Sequence, residues 1–348
     1  MELKELIISL CSMLSVSGYE YRSFERLRSL VGDSFDEIEQ DGVGNILLIR
    51  RCEKQSPAKV LIDTHFDEIG MIVTGISEGG FVSVAPIGGI DSAILPSSDV
   101  TIYGKRDIRG VLSSVPPHLR RDSDSKKLSE ISELFIDTGY PKEELLELIS
   151  IGTPVGFAPV YTELLNRSIC GKSFDNKACT AAAIFALSDI PKSELAADVY
   201  LLLSAHEESV RTGGVAPAAF GIDPDYAMVI DVNLAAVPDV PKSETVEYGK
   251  GISISVSAIT DRRLTKMTEE LCRDNEIGFY RVAAPSSTGT NAAALCLVGR
   301  GVPTVDVGLP LKSMHTYNET ISLDDAEALS ALVRHFVCSE KIKEAFVV

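Results

Sequence analysis

The spacing of apolar positions changes along the chain, and each change predicts a different kind of element. Residues 2–15 carry Leu3, Leu6, Ile7, Leu10, Met13 and Leu14 at helical spacing. Ser17-Gly18 interrupts that stripe, and residues 20–31 resume it. Apolar runs short enough for buried strands follow at Asn45–Ile49 and Lys59–Asp63, the second leading into Thr64-His65-Phe66-Asp67-Glu68-Ile69-Gly70. From residue 71 to about 120 the texture shifts to short runs rich in Val, Ile, Gly and Ser. Gly79-Gly80 and Gly88-Gly89 there signal turns between strands. This β-rich stretch closes near Pro154–Pro159, and its residues 124–150 read as a charged, partly helical excursion.

Beyond Cys170 the two periods alternate. Helices are predicted over 178–188, 213–220, 262–275, 290–297 and 323–338. Strands are predicted over 198–204, 226–232, 250–257 and 303–308. Such alternation implies an α/β fold with a mixed or parallel sheet covered by helices. The predicted organisation is one α/β domain from residues 1–68 and 168–348, interrupted by a β-rich insert over 69–167.

Composition narrows the class. The chain has 348 residues and a formal net charge of -17, a balance that argues against nucleic acid and anionic membranes as partners. The seven cysteines are scattered, odd in number and form no Cys-x-x-Cys, so neither a disulfide framework nor a thiolate zinc site is expected. The N-terminal residues do not read as a signal peptide, and no apolar run reaches membrane-spanning length, so the expected compartment is the reducing cytoplasm.

Against that background the strand ends carry the chemistry. Glu207-Glu208 follows the apolar run Leu201-Leu202-Leu203, at the kind of position where open α/β sheets place their sites. Neighbouring side chains diverge there, so one glutamate can bind a metal while the other faces a water. Asp231 ends another apolar strand, where an acid needs a partner to offset its desolvation. His65 and Asp67, two apart on an extended segment, face the same way, and the carboxylate can then accept the imidazole N–H that faces away from a metal. Asp175 precedes a small-residue helix as either its cap or a bridge between two metals. His315 sits between a strand and the terminal helix. Two imidazoles and three carboxylates, without thiolate, suit two divalent ions, with zinc, cobalt or manganese preferred. His118, His206 and His335 read as surface or packed residues, and Ser286–Thr290 as a turn.

The ordered set His65-Phe66-Asp67-Glu68-Ile69-Gly70, then Asp175, then Glu207-Glu208, then Asp231, then His315 resembles the tetrahedral (TET), or glutamyl, aminopeptidases, whose members also carry the name endoglucanase. The resemblance spans essentially the whole chain. It implies a zinc-peptidase-like α/β fold whose insert is a barrel-like dimerisation domain, with dimers assembling into dodecamers that admit peptides. It implies that His65 and Asp231 bind one metal, that Glu208 and His315 bind the other, and that Asp175 bridges them. Glu207 would be the general base, and Asp67 would orient His65. Departures fall at Asn176-Lys177, where the family has Asp-Arg, at Asn291, where it has Asp, at Ser209–Gly214 and at Lys312-Ser313-Met314. These are expected to shape the substrate pocket and rim.

Three rival readings remain at this level. A carboxypeptidase, dipeptidase or deacylase could share the same metal cage. A scaffold that has lost catalysis is suggested by the altered Asn176, Lys177 and Asn291. A glycosidase is disfavoured, since the chain has no Trp and its two glutamates are adjacent.

Overall fold

A computed structural model describes the whole chain apart from residues 56, 117–118, 120–129, 210–212 and 347–348. His118, the beginning of the charged stretch 124–150 and the middle of the segment after the glutamate pair lie outside the described residues.

The chain opens with α1 (Leu3–Cys11) and α2 (Phe24–Val31), then β1 (Glu37–Gln40), β2 (Ile46–Arg50) and β3 (Lys59–His65). The insert follows as β4 (Gly70–Ile76), β5 (Val82–Ile87), β6 (Asp99–Tyr103), β7 (Asp107–Ser113), β8 (Phe135–Asp137), α3 (Lys142–Leu148) and β9 (Pro154–Phe157). The return is made by β10 (Thr162–Leu164), β11 (Ser168–Gly171), α4 (Phe174–Ser188), β12 (Asp198–Ser204), α5 (Val215–Ile222) and β13 (Tyr226–Leu234). Then come β14 (Ile252–Ser257), α6 (Arg262–Asp274), β15 (Phe279–Ala284), α7 (Ala292–Leu295), β16 (Thr304–Lys312), β17 (Glu319–Ser322), α8 (Leu323–Val337) and α9 (Glu340–Phe346).

Eleven of these strands form one mixed sheet in the order β1-β2-β12-β3-β13-β16-β17-β11-β10, with β14 and β15 branching from β16. Its centre is parallel: β3 lies between β12 and β13, and β13 pairs with β16. Every residue of β12 is buried, as expected for a strand covered on both faces. Alternate side chains enter two separate cores. Val60, Ile62, Leu201 and Leu203 pack under α1, α4, α6 and α8, while Leu61, Leu202, Ala227 and Val229 pack under α5 and α7. The small residues of α4 decide how closely that helix sits. Ala178, Ala181, Ala182 and Ala183 are all fully buried between the sheet, α1 and α8.

The insert is a closed barrel, β4-β5-β8-β7-β6-β9. In β7, Ile108, Gly110 and Leu112 point inward while Asp107, Arg109 and Val111 face out, the period-two pattern of a small filled barrel. Its interior is a core of its own, including Met71, Val84, Ile102, Leu112, Ile136 and Val155. Thr162–Leu164, exposed throughout, pairs with β11 at the edge of the large sheet.

Candidate metal centre

The parallel strands β12, β3 and β13 all end toward one side, and the polar residues predicted from sequence gather there. His65 is the last residue of β3 and lies in register with Ser204, the last of β12. Glu207 and Glu208 follow in the next turn. Asp231 lies in β13, paired with Gly308 of β16. Asp175 stands at the start of α4, and His315 in the loop between β16 and β17.

The geometry is compact. His65 Nε2 lies 3.0 Å from Asp175 Oδ1 and 3.5 Å from Asp231 Oδ1. His315 Nε2 lies 3.4 Å from Asp175 Oδ2 and 3.4 Å from Glu208 Oε2. Two candidate ligand groups result, His65–Asp175–Asp231 and Asp175–Glu208–His315, each with its donor atoms within 4.8 Å of one another. Asp175 belongs to both, turning one oxygen toward each histidine. No side-chain cap is made at the start of α4, so this carboxylate is spent on the histidines rather than on the helix.

Asp67 sits beneath this cluster. Its two oxygens accept the backbone N–H groups of Glu207 and Glu208 at 3.1 and 3.0 Å. His65 Nδ1 lies 3.1 Å from the Asp67 backbone oxygen and 3.5 Å from its carboxylate. One aspartate thus ties the end of β3 to the turn that carries both glutamates.

The electrostatics are those of negative charge crowded around two rings. Burial pushes Glu207 up to about 7, with the nearby carboxylates Glu208, Asp67 and Asp175 adding to the rise. Burial likewise pushes Asp231 up to about 7 against the opposing pull of His65, and raises Glu208. Hydrogen bonds to Asp175 and Glu208 lift His315 to about 11. Burial disfavours the charged His65 ring, yet Asp231, Asp175 and Asp67 outweigh it and raise His65 well above the usual imidazole range. Burial also opposes ionisation of Asp175, but His315 and His65 prevail and hold it below the usual range. Carboxylates this crowded call for cations between them. Oxygen and imidazole donors fit zinc, cobalt or manganese.

The sequence assigns no role to several supporting residues. Glu68 is buried and takes Lys172 Nζ at 2.5 Å, Lys177 Nζ at 3.3 Å, the Ser173 hydroxyl and the Ser15 N–H at 3.2 Å. Burial would raise Glu68, but the two ammonium groups outweigh it and hold the carboxyl at about 2. Lys177, pushed by burial down to about 8, also donates to the Met13 carbonyl at 2.9 Å. Glu319 accepts two backbone N–H groups, those of Asp175 and His315. Burial pushes Glu319 well above the usual carboxylate range, while those two N–H groups pull the other way.

Three of the substituted positions near the site do not form the rim expected of them. Asn176, Lys177 and Asn291 do not line a rim: all three are buried. Asn176 Nδ2 donates to the Ile230 carbonyl at 2.8 Å. Asn291 Nδ2 donates to Asp63 and to Ser204, each at 2.9 Å, beneath the ends of β3 and β12. An amide or ammonium there is absorbed by the packing below the site. Lys312 lies over the Tyr248 ring, 3.8 Å from its centroid. His206 lies 3.1 Å from the Val43 carbonyl rather than in the cluster.

A helix-covered mixed sheet with an inserted barrel, and histidines and carboxylates gathered at its strand ends, defines the class as metallopeptidase-like hydrolase. The comparisons make this specific. The M42 glutamyl aminopeptidase family model matches residues 44–332, and the chain belongs to that family. It is 30% identical to the lysyl aminopeptidase of Pyrococcus furiosus over 328 residues, 93% of each chain. The aminopeptidase of the archaeon Desulfurococcus kamchatkensis superposes with a TM-score of 0.90 at 29% identity, covering 99% of this chain and 98% of the other. The TET1 peptidase of Pyrococcus horikoshii, which can assemble into a tetrahedron or a large octahedral shell, superposes with a TM-score of 0.84 at 28% identity, covering 97% and 99%. Family membership and aminopeptidase-named relatives make the chain a peptidase hydrolase.

Proposed function

We propose that this aminopeptidase removes amino-terminal residues from peptides with two divalent ions. One would lie among His65, Asp175 and Asp231, the other among Asp175, Glu208 and His315. The observation that carries the reading is the placement of Asp175, whose Oδ1 faces His65 at 3.0 Å while its Oδ2 faces His315 at 3.4 Å. Such ions, when bound, polarise the scissile carbonyl and lower the pKa of a water.

The remaining work falls to the chain. Glu207 is the side chain of the cluster left outside both ligand groups, and it is only partly buried. Its carboxylate takes a proton from the attacking water and hands it to the leaving amine. Asp67 sets its position through the Glu207 N–H. Three ligand carboxylates against two dications leave roughly one net positive charge to meet the negative charge that develops on the carbonyl oxygen.

The insert over 69–167 is proposed as the self-association module, with the rest of the chain as the catalytic domain. The shell assemblies of the Pyrococcus horikoshii relative support that assignment. A reducing cytoplasm is proposed as the compartment, in keeping with seven free cysteines.

The test is a panel of aminoacyl amides and their acyl-blocked counterparts, assayed on metal-loaded protein. Cleavage confined to free amino termini is expected, and preference for blocked substrates would favour a deacylase. Glu207→Gln should lower kcat by roughly a hundredfold to ten-thousandfold with metal content unchanged. Near-wild-type turnover would remove Glu207 from its role.

A further inference from the structure

Glu319 was unremarkable in the sequence, a polar residue in the stretch between β16 and α8. The fold gives it a particular place. As the first residue of β17 it pairs with Gly171, the last of β11. The loop leaving Gly171 carries Asp175, and the loop entering Glu319 carries His315. One side chain therefore stands between two loops far apart in sequence.

Its two oxygens divide between them. Oε2 accepts the backbone N–H of Asp175 at 3.1 Å, and Oε1 accepts the backbone N–H of His315 at 3.1 Å. Glu319 is 2% exposed, so no solvent competes for these donors. His315 needs such a hold. Its φ is 58°, as is that of Ser313, in the left-handed region that is unfavourable for a residue with a Cβ. The loop is braced from the barrel side as well: Tyr317 packs 5.9 Å from the Phe157 ring, and a Cβ on Gly89 would stand 3.1 Å from His315 Nδ1.

We propose that Glu319 is a positioning residue that staples the Asp175 and His315 backbones together, and so sets the second of the two ion sites. The inference rests on the two-ion reading above. Its consequence is asymmetric. Asp175 belongs to both groups, but only the group with Glu208 and His315 has two ligands tethered to Glu319, whereas the other keeps His65 and Asp231, neither of which hydrogen-bonds to it. The carboxylate matters because it offers an acceptor to each N–H. A glutamine offers one carbonyl oxygen and turns an NH2 group toward the other donor.

The experiment is a titration of cobalt(II) into metal-stripped protein, followed by calorimetry and by cobalt absorption, for the wild type and Glu319→Gln. The wild type is expected to take up two ions. The variant should bind the ion among Asp175, Glu208 and His315 about ten- to hundredfold more weakly, with an altered cobalt spectrum for that ion, and the ion among His65, Asp175 and Asp231 with a distinctly smaller loss. Two ions bound as tightly by the variant as by the wild type would overturn the staple alone. Equal weakening of both ions would make Glu319 a general packing residue and also overturn it. Fewer than two ions in the wild type would overturn the two-ion reading, and the staple with it.

Discussion

At the scale of single residues, the site depends on charges that could not survive alone. Glu68 is the clearest case: a buried carboxylate shared by Lys172 and Lys177 under the loop that carries Asp175. Removing it would leave two buried ammonium groups with no counter-charge. Glu68→Gln is expected to cost about 3–5 kcal/mol at neutral pH, read from urea unfolding of the metal-stripped protein. The pH dependence has a definite sign. The folded carboxyl titrates at about 2, below its value of roughly 4.3 in an unfolded chain. Its contribution is therefore fully present above that unfolded value and fades as pH falls from there toward 2. The wild type should lose stability over that window more steeply than Glu68→Gln, and parallel curves would contradict the assignment.

The same residues show what the sequence could and could not reveal. His65, Asp175, Glu207, Glu208, Asp231 and His315 stood out because each is a polar residue at or near the end of an apolar run or in a short loop beside one. Glu68 stood within the His65–Gly70 motif without a role, and Glu319 lies in a polar stretch with no such contrast. Their meaning appears only once β17 pairs with β11 and the loop after Gly171 folds over Glu68. Asn176, Lys177 and Asn291 misled in the opposite sense. Asn176 and Lys177 follow Asp175 directly and Asn291 follows the Ser286–Thr290 turn, but all three side chains are buried in the layer beneath the site.

At the scale of elements, apolar periodicity located the central strands and the long helices because those elements are buried on two faces or along one stripe. The strand predicted over 198–204 is β12 to the residue. Elements at the margins escaped. β1 reads Glu-Ile-Glu-Gln, and β10 is exposed throughout, so pairing with a neighbour makes them strands, not burial. The helical stripe over 2–15 ends early at Cys11, because Leu14 and Val16 leave α1 to pack with Tyr103 of the barrel. Small residues in α4 bring that helix against the sheet, and with it the Asp175 loop. Ala182→Leu, placing three extra carbons at a fully buried position, is expected to destabilise by about 1–3 kcal/mol in the same unfolding assay. It should also weaken cobalt binding. A variant as stable as the wild type would show that the α4 seam has slack.

At the scale of the whole molecule, the barrel and the α/β domain each carry a core, and the loop bearing His315 touches both. The assembly proposed here predicts a solution mass that is a multiple of the 37.5 kDa chain, a dimer or a dodecamer, by light scattering after size exclusion. A monomer at micromolar concentration would contradict self-association through the insert. Among the described residues no helix is long and apolar enough to cross a membrane.

The central claim is that six side chains scattered along the chain meet around two ions, with Asp175 touching both. Anomalous diffraction from crystals grown with zinc answers it directly. The account predicts two peaks per chain, one against His65, Asp175 and Asp231, the other against Asp175, Glu208 and His315. A single peak, or density at neither set of ligands, would contradict it.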